Sequence, residues 1–147
     1  MTEKEIKYLN LLPKAKSILD GEDDMIARMA DLSSLLHYEF GFWWTGFYRV
    51  IGEELVLGPF QGPLACTRIP FGKGVCGSSW KAGETIVVPD VEQFPGHIAC
   101  SSESRSEIVV PVRQEGTVIA VLDIDSREKG AFDETDRLYL ERTVSLL

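Results

Sequence analysis

The sequence predicts an α+β domain in which helices at the two ends enclose a mainly antiparallel sheet of about six strands. Three observations carry this. Apolar residues recur at helical spacing before Gly41, short runs of alternating polarity separated by glycine turns follow, and helical spacing returns after Asp133. Strands grouped between terminal helices, with a hairpin as the last pair, fit a layered domain better than a doubly wound parallel one.

Taken in order, Thr2 with Glu5 fits a capping box and is followed by Ile6, Leu9 and Leu12 on one helical face, until Pro13 interrupts or restarts the helix. After the turn Asp20-Gly21-Glu22-Asp23, a second amphipathic helix carries Ile26, Met29, Ala30, Leu32, Leu35 and Leu36 and ends near Phe40-Gly41. Residues 42–50, 54–59 and 66–70 read as a strand meander. Residues 75–82 fit a short helix closed by Gly83, 85–88 a strand, and 89–104 a long loop containing Phe94-Pro95-Gly96. Strands over 107–113 and 117–125 are joined through Gln114-Glu115-Gly116, and a helix runs from Asp133 to the end. With 147 residues and no repeat or low-complexity stretch, residues 1–147 are expected to form a single domain.

Composition narrows the function classes. Fifteen basic against twenty-three acidic residues give a net charge of -8, which argues against nucleic acid and anionic membrane as partners. No segment approaches the ~20 apolar residues of a membrane span. The start, Met-Thr-Glu-Lys-Glu, lacks the basic and apolar regions of a secretory signal, so a cytoplasmic protein is expected. In that compartment three cysteines are expected as thiols, and their odd number does not suit a stapled secreted fold.

Four groups of residues are candidates for chemistry. Gly72-Lys73-Gly74-Val75-Cys76-Gly77 matches a dinucleotide fingerprint, but the helix after it is short and no parallel βαβ alternation follows, so it reads as a glycine-rich turn. Alternation places Thr117, Ile119, Val121, Asp123 and Asp125 on one strand face, with Glu107 pointing the same way as Val109 and Pro111 on the neighbouring strand. Three acids beside apolar surface suit a bound ammonium, unless the strand simply runs out into solvent at Asp123. Around residue 45, alternation sets Trp44, Gly46 and Tyr48 against Trp43 and Phe47; one set lines a pocket, with ligand room over Gly46, or all four aromatics are core. Cys100 lies in a polar loop, as a reactive thiol would, whereas Cys66 opens a strand and Cys76 opens a helix. A reactive set and three unrelated cysteines remain open from spacing alone. His97 with Cys100 is half of a zinc site that no second close pair completes, so neither metal nor cofactor is expected.

These residues together resemble the free methionine-(R)-sulfoxide reductase family of stand-alone GAF domains. The likeness runs through W-x-G-F-Y at 44–48, LVLGPFQGPLACTRIPFGKGVCG at 55–77, VVPDVEQFPGHIACSSESRSEIVVPV at 87–112 and LDIDS at 122–126. It implies a GAF-like fold and reduction of the free sulfoxide to methionine. It makes Cys100 the nucleophile, Cys66 the resolving thiol with Cys76 as alternate, Glu107, Asp123 and Asp125 the substrate-binding acids, and Trp44 and Tyr48 the pocket aromatics. Either Glu107 or Asp125 would supply the proton the sulfoxide oxygen needs. Thioredoxin is the implied reductant, and a homodimer is compatible with the reading. The rival function is a GAF module that senses a small molecule without chemistry; it is expected beside an output domain, of which the sequence shows no pattern, and it needs no thiol set beside an acid cluster.

Overall fold

The computed structural model describes residues 1–98, 100 and 102–147. Its elements are α1 (Glu3–Leu19), α2 (Met25–Phe40), β1 (Trp44–Ile51), β2 (Glu54–Gln61), β3 (Arg68–Pro70), α3 (Gly74–Ala82), β4 (Ile86–Val88), β5 (Ser106–Gln114), β6 (Thr117–Ser126) and α4 (Glu134–Val144). The strands form one sheet in the order β3-β2-β1-β6-β5-β4, antiparallel at each pairing. Among the described residues no helix is long and apolar enough to cross a membrane.

The sheet is buried on both faces. Against one face α1, α2 and α4 pack with Tyr8, Leu11, Leu32, Leu36 and Leu140 over Phe47, Ile108, Val110, Leu122 and Ile124. On the other, α3 and the loops around it cover Trp44, Tyr48, Val109 and Val121 with Val75, Cys76 and Val91. The chain crosses between the sheet edges, from β3 to β4, through α3, which places the start of that helix over the middle strands.

Helix α1 does not break at Pro13. The proline sits on the exposed side of a helix that continues to Leu19, where water can satisfy the carbonyl that loses its amide partner. The buried face is also not the expected one: Tyr8, Leu11, Ala15 and Leu19 face the core, Leu12 packs at its margin, and Ile6 and Leu9 are exposed. The capping box of Thr2 and Glu5 is present, and α2 ends on Gly41 in the left-handed conformation.

Two irregularities shape the strands. β2 carries an extra residue between Leu57 and Phe60, where Pro59 is tolerated because a bulge needs no ladder bond there. In β6, Val112 pairs with Ala120 and Arg113 with Val118, which leaves Ile119 as the bulged residue. That bulge overturns the simple alternation: Ile119 packs with the helix-side core and Val118 with the opposite one. Pro111 lies beyond the stretch of β5 that β4 covers, so its missing amide costs no pairing on that side. The turn between β5 and β6 is a two-residue loop, with Glu115 and Gly116 both at positive φ, 51° and 80°. β3 begins only at Arg68, two residues after the expected start at Cys66.

Candidate functional site

The sheet makes the floor of a pocket. Register places Trp44, Asp125 and Glu107 side by side in one row across β1, β6 and β5, and Gly46, Asp123 and Val109 in another, two residues along on each strand. Because residues two apart on a strand share a face, both rows look to the same side, and Tyr48 continues that face opposite Val121. Val75 and Cys76 come from the first turn of α3, Pro63, Leu64 and Ala65 from the β2–β3 connection, and His97, Ile98, Cys100 and Ser104 from the connection after β4. The latter is the expected 89–104 loop, of which Ala99 and Ser101 lie outside the described residues; it opens with a short 3-10 turn at Val91–Gln93.

The acids do not run out into solvent. Glu107 and Asp123 are buried and Asp125 is half-buried. Burial raises the pKa of all three carboxyls, and each is pushed further by a neighbouring acid: Glu107 by Asp125, Asp123 by Glu107, and Asp125 by Asp123. None of the described lining residues is a lysine or arginine. His97 is the lining base; its Nε2 stands 3.7 Å from Glu107 Oε1, too far for a hydrogen bond, and burial lowers its pKa toward the neutral imidazole. One oxygen of Asp123, Oδ1, is buried without a hydrogen-bond partner among the described residues, as is Ser104 Oγ.

The aromatics define the wall. Trp44 stacks on Phe60 with ring centroids 5.3 Å apart and on Tyr48 at 6.0 Å. Its indole N–H donates to the Pro63 carbonyl at 2.9 Å, and the Tyr48 hydroxyl donates to the Cys66 carbonyl at 2.8 Å. Burial raises the Tyr48 phenol, so it remains a donor at neutral pH. The expected room over Gly46 is filled: a Cβ there would lie 2.4 Å from Phe60 Cβ and 2.7 Å from Trp44 Cη2, so glycine serves to let these rings close over the strand. Trp43 precedes β1, escapes its alternation, and lines the pocket beside Trp44, while Phe47 belongs to the helix-side core.

Of the three cysteines, Cys66 and Cys100 form a disulfide with Cα atoms 5.4 Å apart, at the pocket wall. Cys76 is the free one, buried, with Sγ 4.0 Å from Glu107 Oε2; burial and then the charge of Asp123 push its thiol well up. The glycine-rich segment before it is a strand-to-helix turn in which Gly77 must be glycine, since a Cβ would meet the Pro70 carbonyl oxygen at 2.7 Å. All eight candidate residues therefore meet around one pocket: Trp44, Tyr48, Cys76, Cys100, Glu107, Asp123 and Asp125 line it, and Cys66 is tied to it through its disulfide and its carbonyl. Sequence patterning missed Trp43, His97 as a neighbour of Glu107, and Ser104. Only His97 carried a signal, three residues before a polar-loop cysteine. Soft and hard donors together, from Cys76, Glu107 and Asp123, also form a group able to hold a metal ion.

The GAF domain family model matches residues 21–147. GAF domain-containing protein A of Dictyostelium discoideum is 54% identical, over 98% of this chain and 92% of its own. The free methionine-R-sulfoxide reductase of Saccharomyces cerevisiae is 40% identical, over 98% and 85% respectively. A crystal structure of free methionine-R-sulfoxide reductase from Neisseria meningitidis in complex with its substrate superposes with a TM-score of 0.96 at 51% identity, covering 99% of this chain and 89% of that one.

Proposed function

This chain belongs to the free methionine-R-sulfoxide reductase family of GAF domains, and from that premise we propose that it reduces free methionine-(R)-sulfoxide to methionine, with Cys100 as nucleophile and Cys66 as resolving thiol, in a cytoplasmic single domain spanning residues 1–147. The observation that carries the reading is the Cys66–Cys100 disulfide standing in the wall of the pocket whose floor is Glu107, Asp123 and Asp125.

The chemistry follows from the groups present. Three crowded carboxyls without a lysine or arginine among the described lining residues attract one cation, and a substrate ammonium supplies it. A peptide-bound methionine has no such ammonium, so recognition of the amine selects the free amino acid. Trp44 and Tyr48 offer apolar ring surface to the methyl-thio end. One carboxyl kept protonated by its neighbours, Glu107 or Asp125, protonates the sulfoxide oxygen as the Cys100 thiolate attacks sulfur. The S–O bond breaks as hydroxide leaves, which joins the Cys100 sulfur to the substrate sulfur as a thiosulfonium. Hydroxide then adds to the Cys100 sulfur, the S–S bond breaks, methionine leaves with that electron pair, and Cys100 holds a sulfenic acid. Cys66 then attacks the Cys100 sulfur, water departs, and the disulfide forms. An external dithiol, for which thioredoxin has a suitable potential, restores both thiols.

A single-turnover experiment tests this. Reduced protein mixed with free methionine-(R)-sulfoxide should yield one methionine per chain with the loss of two thiols. Cys66→Ser should still yield methionine and leave a sulfenic acid that dimedone captures at Cys100. Methionine formed in undiminished yield by Cys100→Ser would falsify the assignment, and tight binding without turnover in the wild type would point instead to a sensing module.

A further inference from the structure

Cys76 is left over by the mechanism. It is 3% exposed and unpaired, yet it sits at the N-terminal turn of α3 over two carboxylates that are 6% and 5% exposed, Glu107 and Asp123. A buried thiol with no partner cysteine usually faces apolar neighbours. This one faces acids. One donor atom from each of the three, Cys76 Sγ and one carboxylate oxygen from Glu107 and from Asp123, all lie within 4.8 Å of one another, with Cys76 Sγ and Glu107 Oε2 4.0 Å apart. One oxygen of Asp123, Oδ1, is buried with no hydrogen-bond partner among the described residues.

We propose that Cys76, Glu107 and Asp123 form a binding site for a thiophilic divalent cation of the Zn²⁺ class, on the pocket floor.

The donor set fits that class. Zinc takes thiolate sulfur at about 2.3 Å and carboxylate oxygen at about 2.0–2.2 Å, which at a tetrahedral angle sets sulfur and oxygen about 3.5 Å apart. The observed 4.0 Å asks for an inward shift of a fraction of an ångström. His97 offers a nitrogen for a fourth position, with Nε2 3.7 Å from the other oxygen of Glu107. A hard cation such as Mg²⁺ would find the thiol a poor ligand, which separates the two classes. Binding displaces the thiol proton into solvent and brings two positive charges to carboxyls that otherwise repel one another. A cation there shares two side chains with the pocket that binds substrate, so it competes with substrate. The site uses neither cysteine of the Cys66–Cys100 pair.

The test uses the full chain carrying Cys66→Ser and Cys100→Ser together, in which Cys76 is the sole thiol, and Cd²⁺ as the spectroscopic probe. Folded protein should develop a thiolate-to-cadmium charge-transfer band that saturates at one ion per chain. The same chain in denaturant, with its thiol exposed and its acids dispersed, should bind at least a hundredfold more weakly. Adding Asp123→Asn to the folded chain should weaken binding at least tenfold, and Mg²⁺ in large excess should leave the band in place. A folded chain that gives no band, one that binds no better than the denatured chain, or one indifferent to Asp123→Asn overturns the proposal. The readout involves no turnover, so these outcomes are independent of the reductase reading.

Discussion

Two buried aspartates distinguish the two sides of the sheet. On the helix side Asp136, 1% exposed, is fully engaged: Tyr8 donates its hydroxyl at 2.5 Å, Lys4 its ammonium at 2.7 Å, and the Asp133 amide at 2.9 Å. On the pocket side Asp123, 5% exposed, has an oxygen with no partner among the described residues and acids for neighbours. The first carboxylate is completed by the chain and ties α1 to α4. The second is incomplete until something from outside arrives. A buried polar group is tolerated where it is partnered, so an unpartnered one marks a place where the fold holds free energy in reserve for a ligand.

Substitutions should break this contrast in opposite directions. Asp136→Ala strips Lys4 and Tyr8 of their partner inside a packed interface and should lower stability by about 3–5 kcal/mol, read from denaturant midpoints, with kcat/KM of the surviving folded protein within about twofold of wild type. Asp123→Asn should do the reverse. It removes a carboxylate that burial disfavours, so the substrate-free protein should be at least as stable as wild type above neutral pH, while kcat/KM falls about a hundredfold or more, roughly 2.7 kcal/mol of transition-state stabilisation. If both lose stability and neither loses activity, the two faces are alike and the contrast is wrong.

Gly46→Ala asks whether the pocket wall is as tightly built as the helix side. Its Cβ would press on Phe60 and Trp44, and overpacking of this kind should cost about 1–3 kcal/mol, with a rise in KM as Trp44 shifts. A neutral result would mean the wall yields. The remaining contrast is in pH dependence. Carboxyls whose folded pKa is raised above the ordinary value near 4 stay protonated in the folded chain while the unfolded chain ionises. Their contribution is therefore complete below about pH 4 and is lost as pH rises through the folded values, by up to about 1.4 kcal/mol per pH unit for each proton retained. Thermal unfolding of the substrate-free protein should show stability falling from weakly acidic to neutral pH, and the slope should flatten in Asp123→Asn. Asp133, lowered by the Asp136 amide and by Lys4 despite some burial, acts in the opposite sense and below that window.

Much of this was legible in the sequence, for reasons that also explain what was not. Alternation along β6 placed Asp123 and Asp125 on one face, because both lie beyond the bulge, whereas the bulged Ile119 and Val118 before it fall on the faces opposite to those expected. That Glu107 faces Asp125 depends on register, set by the Glu115-Gly116 turn and the bulge together, which no pattern within one strand reveals. The glycine turn before α3 was readable as such from its context. Family resemblance favoured Cys66 as the partner of Cys100, while spacing alone left the pairing open, because contact across 34 residues is a property of the fold. Pro13 misled because its penalty depends on which side of the helix it occupies, and that side is decided by tertiary packing. His97 and Ser104 come from an irregular loop, where periodicity says nothing about direction.

The hydrogen bond from Tyr48 to the Cys66 carbonyl, and that from Trp44 to the Pro63 carbonyl, moor one lip of the pocket to β1, while Cys100 belongs to the other lip. Oxidation therefore latches the mouth across its width. Closing a loop of 34 residues restricts the unfolded chain by about 4 kcal/mol in the chain-entropy model. In the proposed cycle the disulfide form is thus the sturdier one, and resistance to heat or protease would gauge how much of the protein awaits its reductant.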